Sequence, residues 1–214
     1  MPCTSLNDGR VLITGGEGRD YQDLSSAEVY DPTGGEWIAV PDMSVTRARH
    51  SATKLNDGRV LIVGGGKLDP PYEKTAEIFD PSTNMWTIAA EMSTGRADHV
   101  AVLLDDGRVL VVGGRGKKLT SEIYDPETDT WEKTGNTIQP HAEASIIRLS
   151  TGKVLITGGI GYGLRAAALY DPFTGVWEAL EDMNNDRYRH EMIRLTSDLI
   201  LVIGGQGKDG VTAE

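Results

Sequence analysis

The stretch Leu6–Gly16, "LNDGRVLITGG", decides the fold, because the chain writes it again. It returns as "LNDGRVLIVGG" at Leu55–Gly65 and as "LDDGRVLVVGG" at Leu104–Gly114. Looser copies follow, "LSTGKVLITGG" at Leu149–Gly159 and "LTSDLILVIGG" at Leu195–Gly205. The glycine pairs fall at 15/16, 64/65, 113/114, 158/159 and 204/205, so successive pairs are 49, 49, 45 and 46 residues apart. A second motif keeps the same step. "AEVYDPTGGEW", "AEIFDPSTNMW", "SEIYDPETDTW" and "AALYDPFTGVW" end at Trp37, Trp86, Trp131 and Trp177, which are all the tryptophans of the chain. Self-similarity at such a period marks stacked supersecondary units, each unable to bury its apolar face alone.

Each unit reads as four short strands, A to D. In the second unit, "HSATKL" leads through Asn56, Asp57 and Gly58 into "RVLIVGG". Asp-Gly between two β-rich runs predicts a two-residue hairpin. The unbroken apolar run "VLIV" predicts a strand buried on both faces. After a loop, "AEIFD", a turn at "PSTN" and "MWTIAA" predict a second hairpin, since Pro, Ser, Thr and Asn carry turn chemistry. No window keeps a helical period. Four-stranded units at this period form the blades of a β-propeller. The expected class is therefore all-β, one propeller over residues 1–214. Its blades fall at about 1–49, 50–98, 99–140 and 141–189, with a partial fifth at 190–214. The double glycines are expected where neighbouring backbones approach closely. Each tryptophan is expected at a blade interface, almost wholly buried.

A β-rich strand ending in Gly-Gly, an aromatic residue before a turn and a spaced Trp, at about 50 residues, resemble the Kelch repeat family. The wording "RHSATKLNDGRVLIVGG" followed by "AEIFDPSTNMW" is similar to bacterial-style Kelch repeats, which also occur in galactose-oxidase-like proteins. The resemblance covers the whole chain and implies a Kelch-type propeller. It implies little about activity, because one fold hosts many functions. Kelch propellers usually have six or seven blades. Four blades and a half imply either a piece of a larger propeller or something that covers the open strand of the fifth.

Composition narrows the partners. Of 214 residues, 39% are hydrophobic and 25% charged, as in ordinary globular domains. The net charge of −11 repels polyphosphates, so neither nucleic acid nor an anionic membrane is expected as partner. Much of the acid sits in turns: Asp8, Asp57 and Asp106 precede glycine, and Asp31, Asp80, Asp125 and Asp171 precede proline. No apolar run approaches the roughly 18 residues of a membrane span. "MPCTSLNDGR" has neither a basic nor an apolar signal region. With Cys3 as the single cysteine, no internal disulfide and no zinc spacing exist. The compartment stays open.

The four histidines, His50, His99, His141 and His190, read as occupying one repeat position at the start of strand A. Strand A is innermost in a propeller, so they could ring the axis and hold a metal. The alternative is that each hydrogen-bonds at its own blade junction. The galactose-oxidase resemblance would imply a Tyr-His ligand pair and a Cys–Tyr thioether. The residues before the histidines are Arg49, Asp98, Pro140 and Arg189, and Cys3 aligns with Ala52 inside strand A. No oxidase of that type, no metal and no cofactor are therefore expected.

Arg47, Arg96 and Arg187 lie three residues before a histidine, with Ile138 in that place in the remaining repeat. Their repetition points to structure, paired with Glu28, Glu77 or Glu122. Arg49 and Arg189 do not repeat uniformly. Resemblance to the Kelch adaptors of the ubiquitin system implies that arginines on D–A connections hold acidic peptides. The B–C loops vary most: "EGRDYQDLSSA", "GKLDPPYEKTA", "RGKKLTS", "IGYGLRAA" and "QGKDGVTA". A constant scaffold with variable loops is how binding surfaces are built. Tyr21, Tyr72, Tyr162, Arg115, Lys117, Lys118 and Arg165 lie in these loops, and Tyr and Arg are common interface anchors.

No G-x-S-x-G, H-E-x-x-H or P-loop is present. The expected function is a non-catalytic scaffold presenting B–C and D–A loops to a protein or glycan. Its candidate residues are Arg49, Arg189, Tyr21, Tyr72, Arg115, Tyr162 and Arg165. Two alternatives stand beside it: an axial metal site or galactose-oxidase- or epimerase-like carbohydrate enzyme, and a structural segment of a larger propeller or extracellular protein. The open strand of the fifth blade, an unpaired sheet edge, offers a route to self-association.

Overall fold

The computed structural model describes residues 2–66, 70–116, 118–161, 164–196 and 199–207. Among them every regular element is a strand. The first blade comprises β1 (Cys3–Ser5), β2 (Val11–Thr14), β3 (Ala27–Asp31) and β4 (Glu36–Val40). The second comprises β5 (Ser51–Lys54), β6 (Val60–Val63), β7 (Ala76–Asp80) and β8 (Met85–Ala89). The third is β9 (Val100–Leu103), β10 (Val109–Val112), β11 (Ser121–Asp125) and β12 (Thr130–Thr134), and the fourth is β13 (Ser145–Arg148), β14 (Val154–Thr157), β15 (Ala167–Asp171) and β16 (Val176–Ala179). Strands β17 (Glu191–Arg194) and β18 (Ile200–Ile203) form a two-stranded sheet. Each four-stranded sheet is a meander in chain order, the architecture of a propeller blade. The aligned "VTAE" of the fifth repeat lies outside the described residues.

Contacts divide the chain into two units, Met1–Ala97 with Glu127–Trp131, and Asp98–Pro126 with Glu132–Glu214. In the first, β1 lies against β5; in the second, β13 lies against β9 and β17. The "VLIV" reading holds. All four residues of β6 and all four of β10 are buried, as expected of strands covered on both faces. Each such side chain contributes about 1.5–3 kcal/mol of burial.

The A–B hairpin differs from expectation. Its loop has three residues, not two. Leu6 N–H donates to Arg10 O, and Gly9 N–H donates back to Leu6 O. Gly9 takes φ 90° and Gly58 φ 92°, the left-handed residue that follows a type I turn in such loops. The aspartate fixes the turn from within: Asp8 Oδ1 accepts the Arg10 N–H at 3.0 Å, and Asp8 Oδ2 accepts Arg10 Nε–H at 2.8 Å. This accounts for the repeated Asp-Gly-Arg. In the C–D turns, the first aspartate caps the backbone two residues on, as in Asp80 Oδ1 to Ser82 N–H at 2.8 Å.

The glycine pair packs each B strand against the connection that leads into the next blade. A Cβ on Gly15 would stand 2.3 Å from Arg47 O, one on Gly113 2.1 Å from His141 O, and one on Gly158 2.3 Å from Arg187 O. The next residue uses that closeness: Gly16 N–H donates to Arg47 O, Gly65 N–H to Arg96 O, Gly114 N–H to His141 O and Gly159 N–H to Arg187 O, at 2.7–2.9 Å. Any side chain would force the backbones apart and break these bonds.

The tryptophans correct the expectation of near-complete burial. Only Trp177 is buried, at 6% exposure, packed on a cluster with Leu104, Leu110 and Val154. Trp86 and Trp131 are half-buried. Their indole N–H groups donate to the carbonyls of Pro41 and Ala90, at 2.6 and 2.8 Å. Trp37 is 54% exposed, because within its unit no blade precedes it. Tyr30, Phe79 and Tyr170 each hold a tryptophan at a ring-centroid distance of 5.0 Å.

The fourth repeat also departs from the sequence alignment. His50, His99 and His190 each directly precede an A strand, but His141 precedes β13 by four residues. Its carbonyl accepts from Gly114, as those of Arg47, Arg96 and Arg187 accept from their glycines. His141 thus takes the arginine position, Ala144 takes the histidine position, and blade four starts nearer residue 144 than 141.

Candidate functional site

The D–A connections and B–C loops of each blade lie together. Within blade one, Met43 N–H donates to Ser25 O and Arg47 N–H to Leu24 O; within blade two, Met92 N–H donates to Lys74 O and Arg96 N–H to Glu73 O. Gly95 makes room for this, since its Cβ would lie 2.0 Å from Tyr72 O. A rim of variable loops is thereby stitched onto the constant sheets.

Beneath the rim, Arg47 is a clip between blades. Its guanidinium donates to Gly64 O at 2.9 Å, Thr75 O at 3.0 Å, Thr75 Oγ1 at 2.8 Å and Glu77 Oε1 at 3.0 Å. Glu77 Oε2 accepts the Ser44 N–H at 2.8 Å. Both side chains are buried, so this arginine has a structural partner among those foreseen. In the second unit, Arg187 makes the matching bond to Gly204 O at 2.8 Å, and His141 replaces it with Nδ1–H donating to Gly158 O at 2.8 Å.

The histidines serve the same junctions. His50 Nε2 is hydrogen-bonded to Thr14 Oγ1 at 2.8 Å, and His190 Nε2 to Thr157 Oγ1 at 2.7 Å. Burial, then the neighbouring Arg47 charge, push His50 down to about 3, and burial lowers His141 as well. Imidazoles held by threonine hydroxyls in this way pack the blades together. Among the described residues no three His, Cys, Asp or Glu side chains come together as a metal site.

Above the histidines, Arg49, Asp98, Glu143 and Arg189 share one left-handed conformation, φ 53–57°. In the second unit their backbones form a ladder: Glu143 N–H donates to Asp98 O, and Arg189 N–H to Glu143 O, at 2.9 and 2.8 Å. Glu143 is buried and paired by two arginines, Arg115 at 2.7 Å and Arg189. Arg115 also pairs with Asp98. Two arginines expected at the binding face, Arg115 from a B–C loop and Arg189 from a D–A connection, thus already share an internal carboxylate. Arg165 is exposed and ties its loop to the D–A connection through Met183 O at 2.7 Å. Tyr162 lies outside the described residues.

In the first unit, Tyr21 and Arg49 come together in a groove of about 600 Å3, flanked by Tyr72 against Gly66. Its lining is Glu17, Tyr21 and Asp23 from the first B–C loop, Val45, Thr46 and Arg49 from the D–A connection, and Gly66, Pro70, Pro71 and Glu73 from the second B–C loop. Tyr21 is 80% exposed. Arg49 is paired with Glu17 and donates to Gly66 O at 3.3 Å. Burial opposes ionisation of Glu73, but hydrogen bonds from Thr75 and the Lys74 N–H outweigh it and hold the carboxyl below its ordinary range. The carboxylates Glu17, Asp23 and Glu73 were not foreseen. The loop-length variation pointed to their loops, but not to which side chains converge.

Residues 2–44 and 47–93 match the Kelch motif. A solved structure of YjhT is similar, with a TM-score of 0.79 at 16% identity over 99% of this chain and 82% of that one. At that identity the likeness speaks to the fold. Among curated proteins none matches the sequence.

Proposed function

From the premise that this chain belongs to the Kelch-repeat β-propellers, we propose that it is a non-catalytic protein-binding scaffold whose ligand seat is the groove of the first unit. The observation that carries this reading is the origin of the lining. All ten described lining residues come from the two B–C loops and the D–A connection between them. The B–C loops are the segments where the repeat changes most, while sheet, turn and glycine chemistry stay constant. A volume of about 600 Å3 lies within the range of about 300–1,000 Å3 usual for ligand seats. Tyr21 spends a large aromatic surface on solvent, which serves an interface better than a fold. The carbohydrate-enzyme alternative has no comparable support: His50 and His190 are bonded to threonines and His141 to a glycine carbonyl.

The test is selection of binding peptides from a displayed random library, followed by competition against a groove variant carrying Tyr21→Asn and Val45→Asp. Selected peptides should lose binding to the variant. Peptides that bind both forms equally would remove the groove from consideration.

A further inference from the structure

We propose that the groove takes a cationic segment, an arginine or lysine side chain of a partner protein, and not the acidic peptide implied by family resemblance. This rests on the groove being the binding seat. The charge count carries it. Among the described residues the lining holds three carboxylates, Glu17, Asp23 and Glu73, against one guanidinium, Arg49. Arg49 is already matched by Glu17, and its side chain is 18% exposed. An acidic ligand would have to displace Glu17 and then face Asp23 and Glu73. A basic side chain meets an excess of negative charge instead.

The remaining walls suit such a ligand. Glu73 Oε1 is oriented by the N–H groups of Lys74 and Thr75, at 3.0 and 3.1 Å, so its charge is fixed without the ligand's help. Tyr21 offers an exposed ring face, which attracts a cation through its quadrupole. Pro70, Pro71 and Val45 supply apolar surface for the methylene stem. The net charge of −11 draws a basic segment in from a distance.

Three fluorescein-labelled nine-residue peptides test this by anisotropy at physiological salt. They share a Gly-Ser-Pro background and carry two Arg, two Gln or two Glu at the centre. The Arg peptide should bind about tenfold more tightly than the Gln peptide, a difference of one favourable charge pair. Tyr21→Asn, which suits the left-handed backbone there, should weaken it about two- to fivefold. Glu17→Gln should weaken it further, while Glu181→Gln, exposed and outside the groove, should not. Equal weakening by Glu181→Gln would mean diffuse attraction and overturn the inference. Tighter binding of the Glu peptide, still sensitive to Tyr21→Asn, would overturn the cationic ligand but leave the groove as the seat. Indifference of all three peptides to Tyr21→Asn and Glu17→Gln would end both readings.

Discussion

Replacing Arg47 by alanine removes one whole interblade clip. Five hydrogen bonds are lost, one each to Gly64 O, Thr75 O and Thr75 Oγ1 and two to Glu77 Oε1. The larger effect is on what remains. Glu77 is 1% exposed and keeps the Ser44 N–H but loses its cation, so its carboxylate becomes an uncompensated buried charge. Breaking a buried pair from one side costs about 3–5 kcal/mol. At about 2–4 °C per kcal/mol for a chain of this length, Tm should fall by about 6–20 °C. Denaturant unfolding and calorimetry of the purified variant would read it. Glu77→Gln in the Arg47→Ala background should recover about half the loss, because it removes the charge while keeping the shape. A loss below about 1 kcal/mol, the scale of a surface ion pair, or no recovery with Glu77→Gln, would refute the clip.

Gly158→Ala should cost ~3 kcal/mol or more, combining a left-handed backbone with overlap onto Arg187 O. Gly9→Ala, which meets open space at φ 90°, should cost only about 1–2 kcal/mol; similar melting shifts would refute the close-approach account. Trp177→Ala should lose about 3–5 kcal/mol, whereas Trp37→Ala, exposed by more than half, should lose well under that, as paired denaturation curves would show. His50, pushed down to about 3, stays neutral in the folded protein while an unfolded histidine takes a proton below about 6.5. The unfolded state then binds more protons, so stability is full above pH 6.5 and falls towards pH 3, by at most about 1.4 kcal/mol per pH unit. His50→Gln should flatten the slope between pH 6.5 and 4.5, and parallel slopes would contradict it.

The sheets could be read from the chain because their causes are local. "VLIV" announces burial on both faces, Asp-Pro and Asp-Gly announce turns, and the glycine pair announces a backbone contact. The tryptophans show where locality ends. Trp37 and Trp177 occupy the same motif position, yet one is exposed and the other buried. Their difference lies in the neighbour each blade finds, which no single repeat records. The groove was illegible for the same reason. Glu17, Arg49 and Glu73 belong to three loops, and only the stitching of those loops onto adjacent blades brings them together.

The fourth repeat was legible and still misread. Its histidine invites alignment with His50, His99 and His190, but the glycine pair disagrees. The pairs begin at 64, 113, 158 and 204, each 14 residues after His50, His99, Ala144 and His190. Once His141 is placed at the arginine position, a second oddity resolves. Ala168 faces Ile156 as Glu77 faces Ile62, so the clip's carboxylate is missing from the blade whose clip lacks its guanidinium. The two replacements are one physical event. His141 keeps the bond to the glycine carbonyl, at 2.8 Å against 2.9 Å for Arg47. Burial lowers its affinity for a proton, so it does not supply the guanidinium's permanent charge. A glutamate at 168 would then be a buried charge with no cation to match it, and alanine avoids that cost of several kcal/mol. The junction between the third and fourth blades therefore has a neutral side-chain bond to a carbonyl where the junction between the first and second has a buried ion pair. Glu143, at the position of Arg49, Asp98 and Arg189, gathers Arg115 and Arg189 on the rim above.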